Sequence, residues 1–185
     1  GNVLDNVILG NSGNNKLSGY VTYSSESGYD ILQGGLGDDT YEVIGSDTVI
    51  EALNQGTDTV MFTGTWEFGM HYTLPDNVEN LIVSNVPPTQ GFIVHNLSGN
   101  ALNNVIVGNQ RWFNYIDGGV GADTMTGGTY SDTFIVNDLG DIVSDVGFAI
   151  DTVLSSVSFT LGANLENLTL TGLAAINGTG NELNN

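Results

Sequence analysis

A hexapeptide that returns twice along the chain limits the folds that this sequence can adopt. Its three copies read Gly-Asn-Val-Leu-Asp-Asn, Gly-Asn-Ala-Leu-Asn-Asn and Gly-Asn-Glu-Leu-Asn-Asn, and they begin at Gly1, Gly99 and Gly180. Such long-range self-similarity is typical of repeat architectures, in which one unit stacks on the next. The sequence therefore predicts a first repeat unit, a second unit and the start of a third, at residues 1–98, 99–179 and 180–185.

The first unit carries three insertions that the second unit lacks. They lie before Gly28, between Val60 and Leu74, and after Glu79. Half of the aromatic residues lie in or beside these insertions or in an altered turn of the second unit, namely Tyr20, Tyr23, Trp66, Phe68, Tyr72, Phe92, Trp112 and Phe113. Two interpretations stay open: these loops form contact surfaces between neighbouring modules, or they fold down to cover the edges of the repeat.

A shorter period of nine residues runs within each unit. Its pattern is Gly-Gly-x-Gly-x-Asp-x-U-x, where U is a large apolar residue, and near-complete copies begin at Gly34, Gly118 and Gly127. The glycines allow the positive φ of a tight turn that aims carbonyl oxygens inward, and the Asp adds an anionic oxygen. The residues after the Asp then form a short strand whose alternate side chain enters a core.

An Asp followed two positions later by an apolar residue recurs throughout the chain. This step begins at Asp30, Asp39, Asp47 and Asp58 in the first unit, and at Asp123, Asp132, Asp141 and Asp151 in the second. Each step predicts a half-coil with one strand, and half-coils must stack because none can bury its apolar residue alone. Helical periodicity is absent, so we predict an all-β solenoid of stacked short strands. Its predicted core rows are Val7, Leu17, Leu32, Tyr41, Val49 and Val60, then Ile106, Ile116, Met125, Phe134, Val143 and Val153.

The nonapeptide copies resemble the RTX, or hemolysin-type, family of calcium-binding repeats. The resemblance implies a right-handed parallel β-roll (a β-helix solenoid) in which a calcium ion lies between stacked turns on the same side, hence between half-coils i and i+2. The implied metal-site residues are Asp30, Gly34, Leu36, Gly37, Asp39, Gly118, Val120, Gly121, Asp123, Gly127 and Asp132, with Asn6, Asn15 and Asn104 from partner turns. The same rule pairs Asp30, Asp39, Asp123 and Asp132 with the turns at 1–6, 10–15, 99–104 and 108–114.

The chain departs from the family pattern in its partner turns, which carry Asn where an Asp is expected, at Asn6, Asn15, Asn104 and Asn114. An amide oxygen ligates calcium without adding charge, so these turns either bind it weakly or hydrogen-bond to each other. Several further acids stay open. The irregular turns at Asp47, Asp58, Asp141 and Asp151 hold either a ligand or a solvated turn. Glu51 and Asp145, at matching positions, either complete a calcium site or are surface carboxylates.

The charge balance excludes several classes of partner. The chain has 21 acidic residues and two basic ones, Lys16 and Arg111, for a net charge of −19. Two cations cannot hold a nucleic acid or an anionic lipid surface. No apolar run is long enough for a membrane span, and the chain has no cysteine, so we expect neither membrane insertion nor a disulfide framework. Calcium is the cofactor that this balance favours, because bound ions neutralise the acidic turns.

Catalysis is not expected from this sequence. His71 and His95 are the only histidines, and no nucleophile has an evident base. We expect a calcium-dependent structural module of a secreted bacterial protein of the adhesin, surface-layer or filament type, exported by a type I system and folded outside the cell or at its surface. Its partners would be calcium ions and neighbouring modules or copies of itself, and the chain would be a window onto a longer tandem array. The alternative is the carboxy-terminal secretion and folding β-roll of a secreted protease or lipase.

Overall fold

The computed structural model describes residues 2–19, 28–44, 46–63, 70–84 and 94–185. The insertion residues Tyr20, Tyr23, Trp66, Phe68 and Phe92 lie outside these ranges, so the role predicted for them stays a prediction. The described ranges form strands, turns and bends without a helix, which confirms the all-β class. In those ranges, accordingly, no helix is long and apolar enough to span a bilayer.

Eighteen short strands follow one another along the described chain. Those of the first unit are β1 (Val7–Leu9), β2 (Lys16–Ser18), β3 (Ile31–Gln33), β4 (Thr40–Val43), β5 (Thr48–Val49), β6 (Thr59–Phe62), β7 (Met70–Thr73), β8 (Asn80–Val83) and β9 (Val94–Ser98). Those of the second unit are β10 (Val105–Val107), β11 (Phe113–Asp117), β12 (Thr124–Thr126), β13 (Thr133–Val136), β14 (Ile142–Ser144), β15 (Thr152–Ser155), β16 (Phe159–Thr160), β17 (Asn167–Leu170) and β18 (Gly178–Thr179). The strands are short because a turn-forming Gly, Asn or Asp follows each apolar segment.

Every strand pairing in the described chain is parallel and joins strands two apart in sequence. The even strands β2 to β14 form a seven-stranded sheet, and the odd strands form a three-stranded sheet, β1-β3-β5, and a six-stranded sheet, β7 to β17. Strands β16 and β18 form a separate pair. Because successive strands alternate between the two sides, the chain winds as a parallel β-solenoid, which confirms the predicted fold class.

The core is a column of one apolar side chain from each half-coil. Leu32, Tyr41 and Phe134 are fully buried, and each follows its Asp by two positions, as the repeat predicts. In a strand, alternate side chains point to opposite faces, so the residue next to the Asp faces outward while the following one enters the core. Eleven of the twelve predicted core residues are buried in this way.

Val7 is the exception, and its prediction as a core residue is wrong. Its side chain is 66% exposed, whereas the neighbouring Ile8 packs against the core. The reason is the register of the turn, because Asn6 takes the position of the Asp and the apolar residue two positions later is Ile8. The pairing of β1 with β3 agrees, since Ile8 lies opposite the buried Leu32.

The two units begin on opposite sides of the solenoid. Strand β1 opens the first unit in the odd row, β1-β3-β5. Its counterpart in the second unit is β10, which follows the same hexapeptide, but β10 joins the even row by pairing with β8 and β12. Equivalent features of consecutive units therefore face opposite ways. The 180–185 turn follows the even strand β18 and stacks on the 162–166 turn, which precedes the odd strand β17, so it returns to the side of the first.

Two aromatic residues of the altered turn pack on the turn of the next coil. The Trp112 ring stacks on Tyr130 with centroids 5.9 Å apart, and Phe113 meets the same ring edge-on at 5.6 Å. Tyr130 itself stays 42% exposed. In this turn, therefore, the aromatic residues cover the neighbouring coil, as the second interpretation of the aromatic loops expects.

Candidate metal centres

A hydrogen bond from backbone to carboxylate joins each acidic turn to the turn stacked on it. Oδ1 of Asp39 accepts from the backbone N–H of Asn15 at 2.6 Å, and Oδ1 of Asp132 accepts from Asn114 at 2.6 Å. The same bond recurs at 2.6–3.2 Å on the carboxylates of Asp30, Asp47, Asp58, Glu79, Asp123, Asp141, Asp151 and Glu166. Asp30, Asp39, Asp123 and Asp132 thus lie against the four turns with which the sequence paired them, while calcium between those turns stays a prediction.

Six buried acids of the described chain have a carboxylate oxygen without a hydrogen-bond partner. Such oxygens belong to Asp30, Asp39, Glu51, Asp123, Asp145 and Asp151, and each of these residues is at most 7% exposed. A buried oxygen left unpaired costs about 1–3 kcal/mol, and more when it carries charge. These oxygens therefore require a cation or a proton that the rest of the described chain does not supply.

Three of the buried acids of the first unit converge on one point. Asp39, Glu51 and Asp58 each offer an oxygen, and these oxygens lie within 4.8 Å of one another. Glu51 Oε1 accepts from the Tyr41 hydroxyl, which in turn accepts from the backbone N–H of Gly34 at 2.8 Å, so the side chain is held in place from inside the core. We call these three acids the first triad.

The second unit holds an equivalent group, which we call the second triad. Asp132, Asp145 and Asp151 also bring three oxygens within 4.8 Å of one another. Oδ2 of Asp132 accepts from the backbone N–H of Gly128 at 2.6 Å, and Oδ1 of Asp145 accepts from Gly147 at 2.6 Å. Two groups at equivalent positions of two units point to a feature of the repeat itself.

Burial is the main reason why Glu51, Asp58, Asp132 and Asp151 resist ionisation. Burial, together with a smaller contribution from the negative charges of Asp58 and Asp39, raises the pKa of Glu51 to about 7. Burial likewise raises the pKa of Asp58 and of Asp132 to about 6, and that of Asp151 to about 7. Removing a carboxylate from water disfavours its charged form, and neighbouring carboxylates disfavour it again. A divalent cation at either triad would reverse this penalty.

Few protein cations are available to balance these acids. Within the described residues, Lys16 forms an ion pair with Glu42, with Nζ 2.7 Å from Oε1. The Lys16 side chain is 62% exposed, so this pair lies at the surface. Each triad offers carboxylate oxygens as ligands. Hard divalent cations prefer oxygen ligands, and calcium accepts roughly six to eight of them at about 2.4 Å, so two oxygens on one ion are at most about 4.8 Å apart. The spacing of the triad oxygens fits this limit.

The glycines of the nonapeptide make room for the acids and shape the turns. A Cβ on Gly34 would overlap the Asp39 carboxylate, and one on Gly127 would overlap the carboxylates of Asp132 and Asp145. Gly37 has a φ of 113°, and Gly121, at the same position in the second unit, has 131°. The predicted turn residues Leu36 and Val120 directly precede these two glycines and are 53% and 71% exposed. Their side chains therefore face away from an interior site, to which they can contribute only backbone atoms.

The predicted Asn ligands already have hydrogen-bond partners. Asn15 Oδ1 accepts from the backbone N–H of Asn11 at 2.6 Å, and Asn104 Oδ1 accepts from Asn100 at 2.8 Å. Asn6 Oδ1 makes the same bond within its own turn, at 3.2 Å. The amide oxygens thus stabilise their own turns, and the triads form on the opposite side of Asp39 and Asp132, toward the following coil.

Each triad contains one acid that the sequence predicted as a metal ligand and two acids whose role the sequence left open. Asp39 and Asp132 were predicted ligands, and each is joined by the aspartate that stacks on it, Asp58 or Asp151. Glu51 and Asp145 are 7% and 6% exposed, so their interpretation as surface carboxylates is wrong. Their matching positions in the two units were the available sequence signal. The predicted ligands Asp30, Asp123, Gly118 and Gly121 lie outside both triads.

Comparison with known proteins does not assign this site to a family. No family model, curated protein or solved structure matches the chain. The class that the fold and the site define is a parallel β-solenoid with a buried carboxylate triad in each repeat unit.

Proposed function

We propose that this chain is a calcium-dependent structural repeat module that folds when calcium binds its triads. The observation that supports it is the occurrence, once in each unit, of three buried carboxylates whose oxygens converge without a protein cation. In the calcium-free chain such a group stacks like charges in a medium where repulsion is strong. A bound ion removes the repulsion, and its binding energy becomes folding energy.

The first triad would hold one ion through Asp39, Glu51 and Asp58, and the second would hold another through Asp132, Asp145 and Asp151. In this proposal the role of calcium is structural: it neutralises the carboxylates and links neighbouring coils. Backbone carbonyl oxygens of the adjoining turns would have to supply further ligands, because calcium accepts roughly six to eight oxygens. Magnesium suits the site less, because it demands octahedral geometry and releases its water reluctantly.

The biological setting belongs to the same proposal. The chain would serve as a module of a secreted bacterial protein of the adhesin, surface-layer or filament type, because its nonapeptide copies resemble the RTX calcium-binding repeat. Calcium sites of extracellular modules work at roughly 0.1–1 mM calcium, a level that the outside of a cell provides. A chain exported without calcium would stay unfolded until it met the ion.

Circular dichroism with a chelator, followed by a calcium titration to millimolar concentration, tests the proposal. We expect the β spectrum to be lost in chelator at about pH 8, where the triad carboxylates are ionised, and to be restored by calcium, with magnesium restoring much less. Titration calorimetry should give at least one ion for each triad. A chain that stays fully folded in chelator, with the same unfolding midpoint as in calcium, would contradict the proposal.

A further inference from the structure

Tyr41 brings a polar group into an otherwise apolar column of the core. Of the twelve core residues that the repeat predicts, Tyr41 alone carries a hydroxyl group, and it is fully buried. A buried hydroxyl costs free energy unless it is hydrogen-bonded, so an apolar residue would suit this position better if packing were its only role. The hydroxyl therefore calls for an explanation beyond the core.

The Tyr41 hydroxyl links the backbone of one turn to an acid of the first triad. It accepts from the backbone N–H of Gly34 at 2.8 Å and donates to Oε1 of Glu51. The other oxygen of Glu51, Oε2, is buried without a hydrogen-bond partner. A Cβ on Gly34 would overlap both the Asp39 carboxylate and this hydroxyl, so the hydroxyl lies at the edge of the triad. Tyr41 thus fixes one oxygen of Glu51 and leaves the other unpaired.

The second unit has no hydroxyl at the equivalent position. Phe134 follows Asp132 by two positions, as Tyr41 follows Asp39, and it is also fully buried. The Cζ of its ring lies 2.8 Å from the point that a Cβ on Gly127 would occupy, next to the second triad. The ring is therefore placed as in the first unit, but it donates no hydrogen bond.

The two triads also differ in the acid that stands at this corner. Glu51 has one more rotatable bond than its counterpart Asp145, so fixing it costs more side-chain entropy. In the second triad, backbone groups hold the acids: Gly147 donates to Oδ1 of Asp145 and Gly128 to Oδ2 of Asp132, each at 2.6 Å. The longer acid thus occurs with the tyrosine hydroxyl, and the shorter one occurs without it.

We propose that Tyr41 is a positioning residue of the first triad: its hydroxyl orients Glu51 for calcium, so that the calcium affinity of this triad, and not of the second, depends on it. The inference rests on the proposed function, because it assigns a role in calcium binding at that same site. A group that hydrogen-bonds to a metal ligand orients the ligand before the ion arrives, and its loss typically lowers metal affinity about 10- to 100-fold. Without the hydroxyl, Oε1 of Glu51 would be buried and unpaired, and the side chain would have to be ordered during binding.

Tyr41→Phe tests the hydroxyl with a substitution that the repeat already accepts, because Phe134 fills the equivalent position. Calcium affinity is measured by titration calorimetry at about pH 6, where protons stabilise the calcium-free chain. The substitution is made in two backgrounds. Asp145→Asn weakens the second triad, so that binding reports on the first, and Glu51→Gln weakens the first triad, so that binding reports on the second.

We expect Tyr41→Phe to lower calcium affinity about tenfold or more in the Asp145→Asn background, and less than about twofold in the Glu51→Gln background. A merely structural role would destabilise the fold and weaken both triads alike, because binding and folding are linked. Equal losses in the two backgrounds would therefore overturn the inference, as would an unchanged affinity in the Asp145→Asn background.

Tyr72→Phe is the matched control, because it removes the hydroxyl of another tyrosine that packs against the core. The Tyr72 ring meets Phe62, at the opposite end of β6 from Asp58, with centroids 5.2 Å apart. We expect this variant to change calcium affinity by less than about twofold in both backgrounds. A loss in the Asp145→Asn background equal to that of Tyr41→Phe would show that any buried tyrosine hydroxyl has the same effect, and would overturn the inference.

The same titrations separate this inference from the proposed function. Calcium binding in both backgrounds with no effect of Tyr41→Phe would overturn this inference alone. No calcium binding by the wild-type chain would overturn the proposed function, and this inference with it.

Discussion

Each buried aspartate of the repeat uses its two oxygens differently. Oδ1 of Asp39 accepts from the backbone of Asn15, and the backbone N–H of Asp39 donates to Oδ1 of Asp58. These bonds fix how the coils stack. Oδ2 of Asp39 is buried without a hydrogen-bond partner and belongs to the first triad. One side chain thus both aligns the coils and offers a ligand atom, and so stacking and metal binding are coupled at a single residue.

Glu51→Gln should separate the effect of calcium binding from that of stacking. The amide removes one of three like charges, so we expect the calcium-free chain to become more stable by about 1 kcal/mol. Calcium affinity should fall at least about tenfold, because a carboxylate ligand is lost. Chemical denaturation in chelator at about pH 6, where protons stabilise the calcium-free chain, and calcium calorimetry measure the two effects.

Asp76→Asn is the matched control for this variant, because Asp76 is exposed and removal of its carboxylate alters only the overall charge. We expect little change in either quantity. If Glu51→Gln and Asp76→Asn lower calcium affinity equally, bulk charge and not the triad governs binding. The same comparison applies to Asp145→Asn in the second unit, whose burial and position match those of Glu51.

At the residue scale, the sequence could predict which aspartates are buried but not which acids converge. The nonapeptide places Asp39 and Asp132 at turns, and both are buried. Glu51 and Asp145 stand outside any complete nonapeptide, so their burial depends on contacts distant in sequence. The hydroxyl of Tyr41 that holds Glu51 is such a contact. A repeat pattern records local spacing and therefore cannot reveal it.

At the scale of one turn, close packing limits substitution more than backbone conformation does. Gly34 has no positive φ, yet a Cβ there would overlap the Asp39 carboxylate and the Tyr41 hydroxyl. Gly13 lies in the neighbouring turn, where the nearest atom to a Cβ is Oδ1 of Asn11 at 3.4 Å. Only at Gly34, therefore, does a carboxylate occupy the space that a Cβ would need.

Gly34→Ala should therefore destabilise the folded chain, whereas Gly13→Ala should be tolerated. Overpacking of this kind costs about 1–3 kcal/mol, and displacement of Asp39 should also weaken calcium binding. We expect Gly13→Ala to change the free energy of unfolding by less than about 0.5 kcal/mol. Denaturant titration in calcium measures both variants. Equal stability of the two would show that the turn opens to accept a methyl group.

Most strands could be predicted from the repeat, and the exceptions lie where the pattern weakens. The short strand that the repeat predicts directly after Asp132 is β13, Thr133–Val136. Strand β1 was misregistered by one residue: its core residue, Ile8, follows Asn6 by two positions, as Leu17 follows Asn15. A shift of one residue exchanges the inner and outer faces. Strands β7 and β9 adjoin insertions and carry no repeat motif.

At the scale of the whole molecule, the carboxylates make stability depend on pH. The pKa values of Glu51, Asp58, Asp132 and Asp151 are raised in the folded chain, so the folded state binds protons more tightly than the unfolded state. Their contribution to stability is fully present below about pH 4 and is lost as the pH rises through about 6 to 7. In the calcium-free chain, protons therefore take the place of calcium.

We expect the free energy of unfolding of the calcium-free chain to decrease between about pH 5 and about pH 8. Calcium affinity should increase over the same range, because the ligands must be ionised, and binding should release protons. Urea titrations in chelator and calorimetry in buffers of different ionisation enthalpy measure these trends. A calcium-free chain that gains stability with rising pH would contradict the raised pKa values.

The placement of consecutive units on opposite sides of the solenoid has a mechanical consequence for any array of them. Equivalent strands β1 and β10 lie in different rows, so one unit is turned by about half a revolution relative to the next. In a tandem array, a bend that one unit gave to the axis would be opposed by the following unit, and the array would run straight. A pulling force on its ends would then load both rows of parallel strands equally.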